Sequence, residues 1–198
     1  MLINYYGHSY FLIEGENYSI ALDPFSNIGL LERVVSANYV FCSHNHYDHN
    51  NVSIVNGATK IIKSENCFEI IPSYHDEVKG AKRGENNVLK FTLDGKVLVF
   101  MGDIGVVDNN VIEKVKGCDY LFVPVGGVYT VNYLEAKRYV DEINPKVVVP
   151  MHYKLDKCTV NVDKLEKFLS KFDSVTTVSS PYKITGNEKS VLVIKAEI

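Results

Sequence analysis

The sequence predicts an α/β protein in which two β-sheets pack face to face with helices on their outer sides, a four-layer αββα sandwich. Three observations predict it. The first third of the chain is a succession of short β-branched and aromatic runs, and the second half alternates helical with strand patterns. A length of 198 residues with 46% hydrophobic content is enough to bury one sizeable core. No linker, low-complexity tract or composition break interrupts the pattern, so residues 1–198 are read as a single domain.

Strands are expected at Leu2–Tyr6, Tyr10–Ile13 and Tyr18–Leu22, broken by Gly7-His8-Ser9 and by Glu14–Asn17. Ile28–Val35 has the pattern of a short helix, and Asn38–Ser43 that of a strand leading into His44. The chain after Asp48 reads as helical to about Val55, since Asp and Asn favour a first turn. Strands follow near Lys60–Lys63, Phe68–Ser73, Val88–Leu93 and Lys96–Met101, the last two joined by Asp94-Gly95, a strong hairpin signal. Beyond them, Asn109–Val115, Leu134–Ile143 and Val162–Phe172 read as helices. They alternate with strands at Tyr120–Val125, Lys146–Pro150, Ser174–Val178 and Ser190–Lys195.

Composition narrows the function classes. A net charge of −3 without a long Lys/Arg block disfavours a nucleic-acid partner, whose phosphates call for a clustered positive footprint. Cys42, Cys67, Cys118 and Cys158 form no CxxC pair and read as small packing residues rather than disulfides or thiolate ligands. The opening MLINYYGHSYFLIEG lacks a basic n-region, and no apolar run is long enough to span a bilayer, so a cytoplasmic location is expected. No segment specifies an oligomeric state.

The informative segment is Ser43-His44-Asn45-His46-Tyr47-Asp48-His49. Residues two apart at a strand end project to one side, so His44 and His46 can converge on one metal ion. Asp48 and His49 come after the chain turns and suit a second ion beside the first. Imidazole and carboxylate are ligands that Zn, Mn and Fe all accept. Three His and an Asp in one fixed six-residue frame arise by chance in about one chain in several thousand, which favours a metal site over a solvated polar loop.

HNHYDH matches the HxHxDH signature, and the chain resembles the metallo-β-lactamase superfamily from its first strand to about Tyr153. The resemblance implies the αββα sandwich of that type. It also implies that His75 completes the ligands of the first metal, that Asp103 is a carboxylate shared by both, and that His152 completes the second. GHSYFLI, ALDPF, Val125-Gly126-Gly127 and PMHY are similar to small metal-dependent hydrolases related to L-ascorbate-6-phosphate lactonases. The implied cofactors are two divalent ions, zinc first, with Mn or Fe as alternatives. The implied reaction is hydrolysis of a small ester, lactone or phosphorylated metabolite by water activated between the metals, with Asp103 holding the pair and Asp48 orienting the nucleophile. Diiron flavoproteins of the superfamily carry Glu where this chain has His46, which disfavours redox chemistry. Two alternatives stand beside hydrolysis: a metal-binding or sensing protein without turnover, and a phosphodiesterase or nuclease of the same fold.

Five of the six histidines occupy these ligand positions, leaving His8 as either a partner facing the site or a turn residue. Asp23 is a candidate acceptor that orients the His44–His49 loop, or a turn former with Pro24. Arg83 and Asn87 could meet an anionic substrate or lie on a solvated loop. Tyr153 is either a hydrogen-bond donor or a packing aromatic, and Gly126-Gly127 either lets backbone approach a substrate or permits a tight turn, the turn being favoured.

Overall fold

A computed structural model of the chain describes residues 1–188 and 190–198. Its first half contains β1 (Leu2–Gly7), β2 (Tyr10–Glu14), β3 (Ser19–Leu22), β4 (Val35–Ser36), β5 (Tyr39–Phe41), β6 (Val55–Asn56), β7 (Thr59–Lys60), β8 (Phe68–Tyr74) and β9 (Glu85–Leu93). The second half continues with β10 (Lys96–Phe100), α1 (Asn109–Val115), β11 (Tyr120–Pro124), α2 (Tyr133–Ile143), β12 (Val147–Met151), α3 (Glu166–Leu169), β13 (Val175–Ser179), β14 (Tyr182–Lys183) and β15 (Val191–Lys195).

Two sheets result. One is six-stranded, in the order β14-β1-β2-β3-β5-β7, and the other seven-stranded, β13-β15-β12-β11-β10-β9-β8; β4 and β6 pair separately. Alternation explains why the first sheet is buried on both faces. Tyr5, Phe11, Ile13, Ile20, Leu22 and Phe41 point into the core between the sheets. Their neighbours Tyr6, Tyr10, Leu12, Ala21 and Val40 point outward, under a cover of Phe25, Ile28, Leu30, Ala37 and Val55. Aromatic rings join the two sheets: Phe11 meets Phe122 edge-on at 5.0 Å, and Phe41 meets Phe100 at 6.5 Å. Each such pair is worth roughly 0.5–1.5 kcal/mol beyond its buried area.

The central parallel strands β10, β11, β12 and β15 are apolar throughout their buried lengths, as strands covered on both faces must be. On this sheet lie α1, capped by Asp108, and α2, which opens with a capping box formed by Asn132 and Glu135. Tyr139 ties them together: its hydroxyl accepts from the Asp108 N–H and donates to the Val106 carbonyl, both at 2.8 Å. Among the described residues no helix is long and apolar enough to cross a membrane. All four cysteines are free, with Cys118 and Cys158 buried.

Two expected helices differ. Ile28–Val35 is not helical: Gly29 sits at φ +80° against the Lys157 carbonyl, Ile28 accepts from the Thr159 N–H, and Val35 enters β4. The layer outside the six-stranded sheet is therefore irregular chain with one 3-10 turn at Val52–Ile54, and that turn is all that forms of the helix expected after Asp48. Val162–Phe172 shortens to α3, because Asp163 donates its N–H to Gly126 and accepts from the Lys154 N–H. Backbone groups already paired with distant chain are withdrawn from a helical ladder. The strand expected at Lys60–Lys63 reduces to β7, and β9 begins earlier than expected, at Glu85.

Candidate metal centre

The chemistry-bearing residues share one structural address. His8 follows β1, Asp23 follows β3, the His44–His49 loop follows β5, His75 follows β8, Asp103 lies just past β10, and His152 follows β12. Within each sheet those strands run parallel to one another, so all six carboxyl ends open on the same edge of the sandwich. His8, Asp23 and His152 all hold left-handed backbone, with φ of +55°, +44° and +53°. Such strain costs on the order of 1 kcal/mol or more per residue and persists where surrounding structure enforces it.

Two groups of ligand atoms meet there. His44, His46 and His75 each bring a ring nitrogen within 4.8 Å of the others. Beside them Asp103 Oδ2 lies 3.1 Å from His152 Nε2, 3.2 Å from His49 Nε2 and 3.4 Å from His75 Nε2. One carboxylate oxygen therefore sits between the first histidine group and the second. Asp48 Oδ2 stands 3.8 Å from His49 Nε2. Donors about 2.0–2.2 Å from a common ion lie about 2.8–3.6 Å apart, and most of these separations fall in that range. Buried His44 Nε2 and Asp103 Oδ1 have no hydrogen-bond partner among the described residues. The donor set thus fits divalent-metal binding, with Asp103 Oδ2 placed near nitrogens of both groups.

A network behind these groups fixes their aim. Asp23 Oδ2 lies 2.7 Å from His49 Nδ1 and accepts from Ser43 Oγ at 2.6 Å, while Oδ1 accepts from the Ser43 N–H at 2.7 Å. The Asp23 carboxylate only accepts, so His49 Nδ1 carries the hydrogen and Nε2 is left to bind. Ser43 Oγ reaches on to His44 Nδ1 at 2.9 Å. Asn86 orients the shared carboxylate's backbone: its Oδ1 accepts from the Asp103 N–H at 2.9 Å and its Nδ2 donates to the Met101 carbonyl. Asp76, next to His75, is buried and accepts the N–H groups of Val78, Gly80, Lys82 and Arg83, shaping the loop that carries Arg83. Ser43, Asn86 and Asp76 were not singled out from sequence. Ser43 and Asp76 each adjoin a ligand candidate at a strand end, a signal that could have found them, whereas Asn86, inside β9, carries none.

Electrostatics favour the neutral, metal-binding form of three imidazoles, those of His8, His44 and His75. Burial, reinforced by neighbouring His152, holds His8 down at about 3, and burial with neighbouring His49 holds His44 at about 2. Burial also lowers His75. His49 is the exception. Burial pushes it down, but the flanking Asp103 and Asp23 carboxylates outweigh that and hold it well above the usual histidine range. Burial raises the Asp103 carboxyl, yet His152 and His49 prevail and hold it far below the carboxylate norm.

Two cavities open onto the centre. One of about 700 Å³ is lined by Asp48, His75, Asp103 and His152 at its base, with Tyr47, Tyr129 and Val160 among its wall residues. The other, of about 620 Å³, runs past His44 and His46 to Lys60 and Asn87. Arg83 borders both; its guanidinium donates to the Val128 carbonyl at 3.2 Å and lies over the Tyr129 ring at 5.8 Å. Asn87 lines the smaller cavity, but its backbone and side-chain N–H groups both hold the Ser43 carbonyl. Tyr153 lies away from both cavities, buried beside Tyr5 with ring centroids 6.4 Å apart. Gly126 is more than a turn residue: a β-carbon there would stand 2.1 Å from the His152 carbonyl oxygen.

A family model described as "Beta-lactamase superfamily domain" matches residues 2–152. The chain belongs to the metallo-β-lactamase superfamily. The match spans every strand end that carries a site residue. Across the superfamily, a UPF0173 metal-dependent hydrolase of Carboxydothermus hydrogenoformans is 27% identical over 195 residues, covering 77% of this chain and 84% of that protein. A UPF0173 metal-dependent hydrolase of Nanoarchaeum equitans is 28% identical over 186 residues, with 77% and 84% covered. Among solved structures, a Thermotoga maritima protein assigned to the superfamily as a candidate Zn-dependent hydrolase is 29% identical. It covers 99% of each chain with a TM-score of 0.78. An isothiocyanate hydrolase from Delia radicum gut bacteria, at 14% identity and a TM-score of 0.66, shares the fold alone.

Proposed function

We propose that this chain is a metal-dependent hydrolase with two divalent ions, zinc first. His44, His46 and His75 hold one ion, Asp48, His49 and His152 the other, and Asp103 lies between them. The substrate is a small ester, lactone or phosphorylated metabolite. The observation that carries the reading is the convergence of these donors between two cavities of about 700 and 620 Å³, with His44 Nε2 and Asp103 Oδ1 unpartnered among the described residues. The larger cavity suits a small molecule, and its base is where a scissile bond would lie. The metal-dependent hydrolases at 27–28% identity support the same reaction type.

Bound there, the ions would supply Lewis acidity and lower the pKa of water toward 7. The protein's own groups do the rest. Asp103 supplies the negative charge that offsets two cations in a buried setting. Asp48, half-buried at the cavity base, is placed to orient a water through its carboxylate. Asp23 keeps His49 in the binding tautomer. Tyr47 and Tyr129 give the wall aromatic surface, and Arg83 between the cavities gives it a cation.

Arg83 favours substrates that carry a carboxylate or phosphate away from the scissile bond. A panel of small lactones, esters, thioesters and phosphodiesters, each with and without such a group, tests this. Hydrolysis should be abolished by chelator and restored by zinc. Arg83→Ala should raise KM for the anionic members by about tenfold, the loss of one charge-assisted hydrogen bond, and leave the neutral members within a factor of two or so. Turnover that survives complete metal removal would contradict the proposal.

A further inference from the structure

His8 lies outside the ligand pattern that the motif supplies, yet its geometry matches that of the ligands. The residue is held in the left-handed region at φ +55° and its side chain is almost completely buried. Its carbonyl accepts from Tyr5 Oη at 2.9 Å and from the His152 N–H at 2.8 Å, which locks the Gly7-His8-Ser9 turn to the His152 loop. The ring is brought against those of His49 and His152, with centroids 4.7 and 4.2 Å away.

The position of Nε2 decides its role. It stands 3.0 Å from His49 Nε2 and 3.3 Å from Asp48 Oδ2, and ring nitrogens of His8, His49 and His152 all fall within 4.8 Å of one another. A charge-assisted N–H···O bond to Asp48 would be about 2.7–2.9 Å long. The observed distances instead fall within the spacing of about 2.8–3.6 Å expected between donors that share an ion. His49 Nε2, on the ring edge opposite the nitrogen that meets Asp23, faces that same point.

We propose that His8 is a ligand of the second metal, so that three imidazoles, from His8, His49 and His152, join Asp48 and Asp103 around it. The inference rests on the two-metal reading above. It assigns the ions different tasks. The second site, with five protein donors and three buried histidines, holds its ion tightly and favours nitrogen-preferring metals such as zinc over Mg or Ca. The first site, where His46 reaches the surface, keeps the room for water and substrate.

His8→Gln retains a hydrogen-bond donor but is a poor ligand, so it separates ligation from hydrogen bonding. Zinc affinity of each site, measured on the whole chain by competition with a chelator, should fall by more than about 100-fold at one site and stay unchanged at the other. That exceeds the 10–100-fold typical of losing an outer hydrogen-bond partner. Crystals of the zinc-loaded wild type, with ions located by anomalous scattering, decide the matter even if the variant does not fold. His8 Nε2 within about 2.3 Å of an ion supports ligation. An ion bound by His49 and His152 with His8 beyond hydrogen-bonding reach of it, or a variant within tenfold of wild type at both sites, would overturn the assignment alone. A wild-type chain that takes up no zinc would overturn it together with the hydrolase reading.

Discussion

Replacing Asp103 by Asn is expected to empty both metal positions together. The Asp103 carboxylate lies within 3.4 Å of nitrogens from both halves of the centre, touching His75 on one side and His49 and His152 on the other. An amide keeps the shape and removes the charge that opposes two cations in a buried site. Metal content measured after gel filtration should fall from about two per chain to below one, and kcat/KM should drop at least about 1,000-fold, equivalent to about 4 kcal/mol. The far-ultraviolet circular dichroism should hold, since the flanking strands are secured by Phe100, Phe122 and their neighbours. Loss of one ion with full retention of the other would remove Asp103 from the shared position. His46→Ala, by contrast, should weaken the first site and leave the second occupied.

Gly126→Ala should have the next largest effect, at a residue that touches neither metal nor substrate. The added carbon would meet the His152 carbonyl oxygen at 2.1 Å and the Val162 β-carbon at 2.9 Å, and the first of these is backbone that cannot rotate away. The His152 strand end must shift. That shift disturbs the bond from the His152 N–H to the His8 carbonyl, and with it the proposed ligands of the second ion. Overpacking of this kind costs about 1–3 kcal/mol, a drop in Tm of several degrees for a chain of this size. A Gly117→Ala control separates contact from conformation. At φ +68°, with nothing within 4 Å of its added carbon, it should cost only about 1 kcal/mol and leave zinc affinity alone.

Much of the strand framework was legible because its signals are local. Alternation located β1, β2 and β3, Asp94-Gly95 located the β9–β10 hairpin, and continuous apolar runs located β11, β12 and β15. The HNHYDH segment was legible for the same reason, its chemistry being compressed into six residues. Where the expectation failed, the deciding partner lay far away in sequence. Ile28–Val35 is drawn out of helix by Lys157 and Thr159, and the start of Val162–Phe172 by Gly126 and Lys154. The strand β14 pairs with β1 across almost the whole chain, and no local pattern announces it.

The same division runs through the centre. Asp23 could be suspected as the orienting acceptor because it ends an apolar strand beside Pro24, and it makes three contacts with Ser43 and His49. Asn86 and Asp76 went unsuspected, since an amide inside a strand and a carboxylate in a loop read as ordinary polar residues until their backbone partners are known. Asn87, a substrate candidate, lines the smaller cavity and also bonds the Ser43 carbonyl, latching one sheet to the loop of the other. Gly126 read as a turn because the chain that approaches it, at His152, is distant in sequence.

The most direct test of the two-ion reading is elemental analysis of protein purified without added metal, repeated after chelation and reloading. About two equivalents of zinc, or of Mn or Fe, per chain, removed by chelator together with hydrolytic activity and regained with it, is the predicted result. A chain that binds one ion or none when metal is supplied in excess would contradict it.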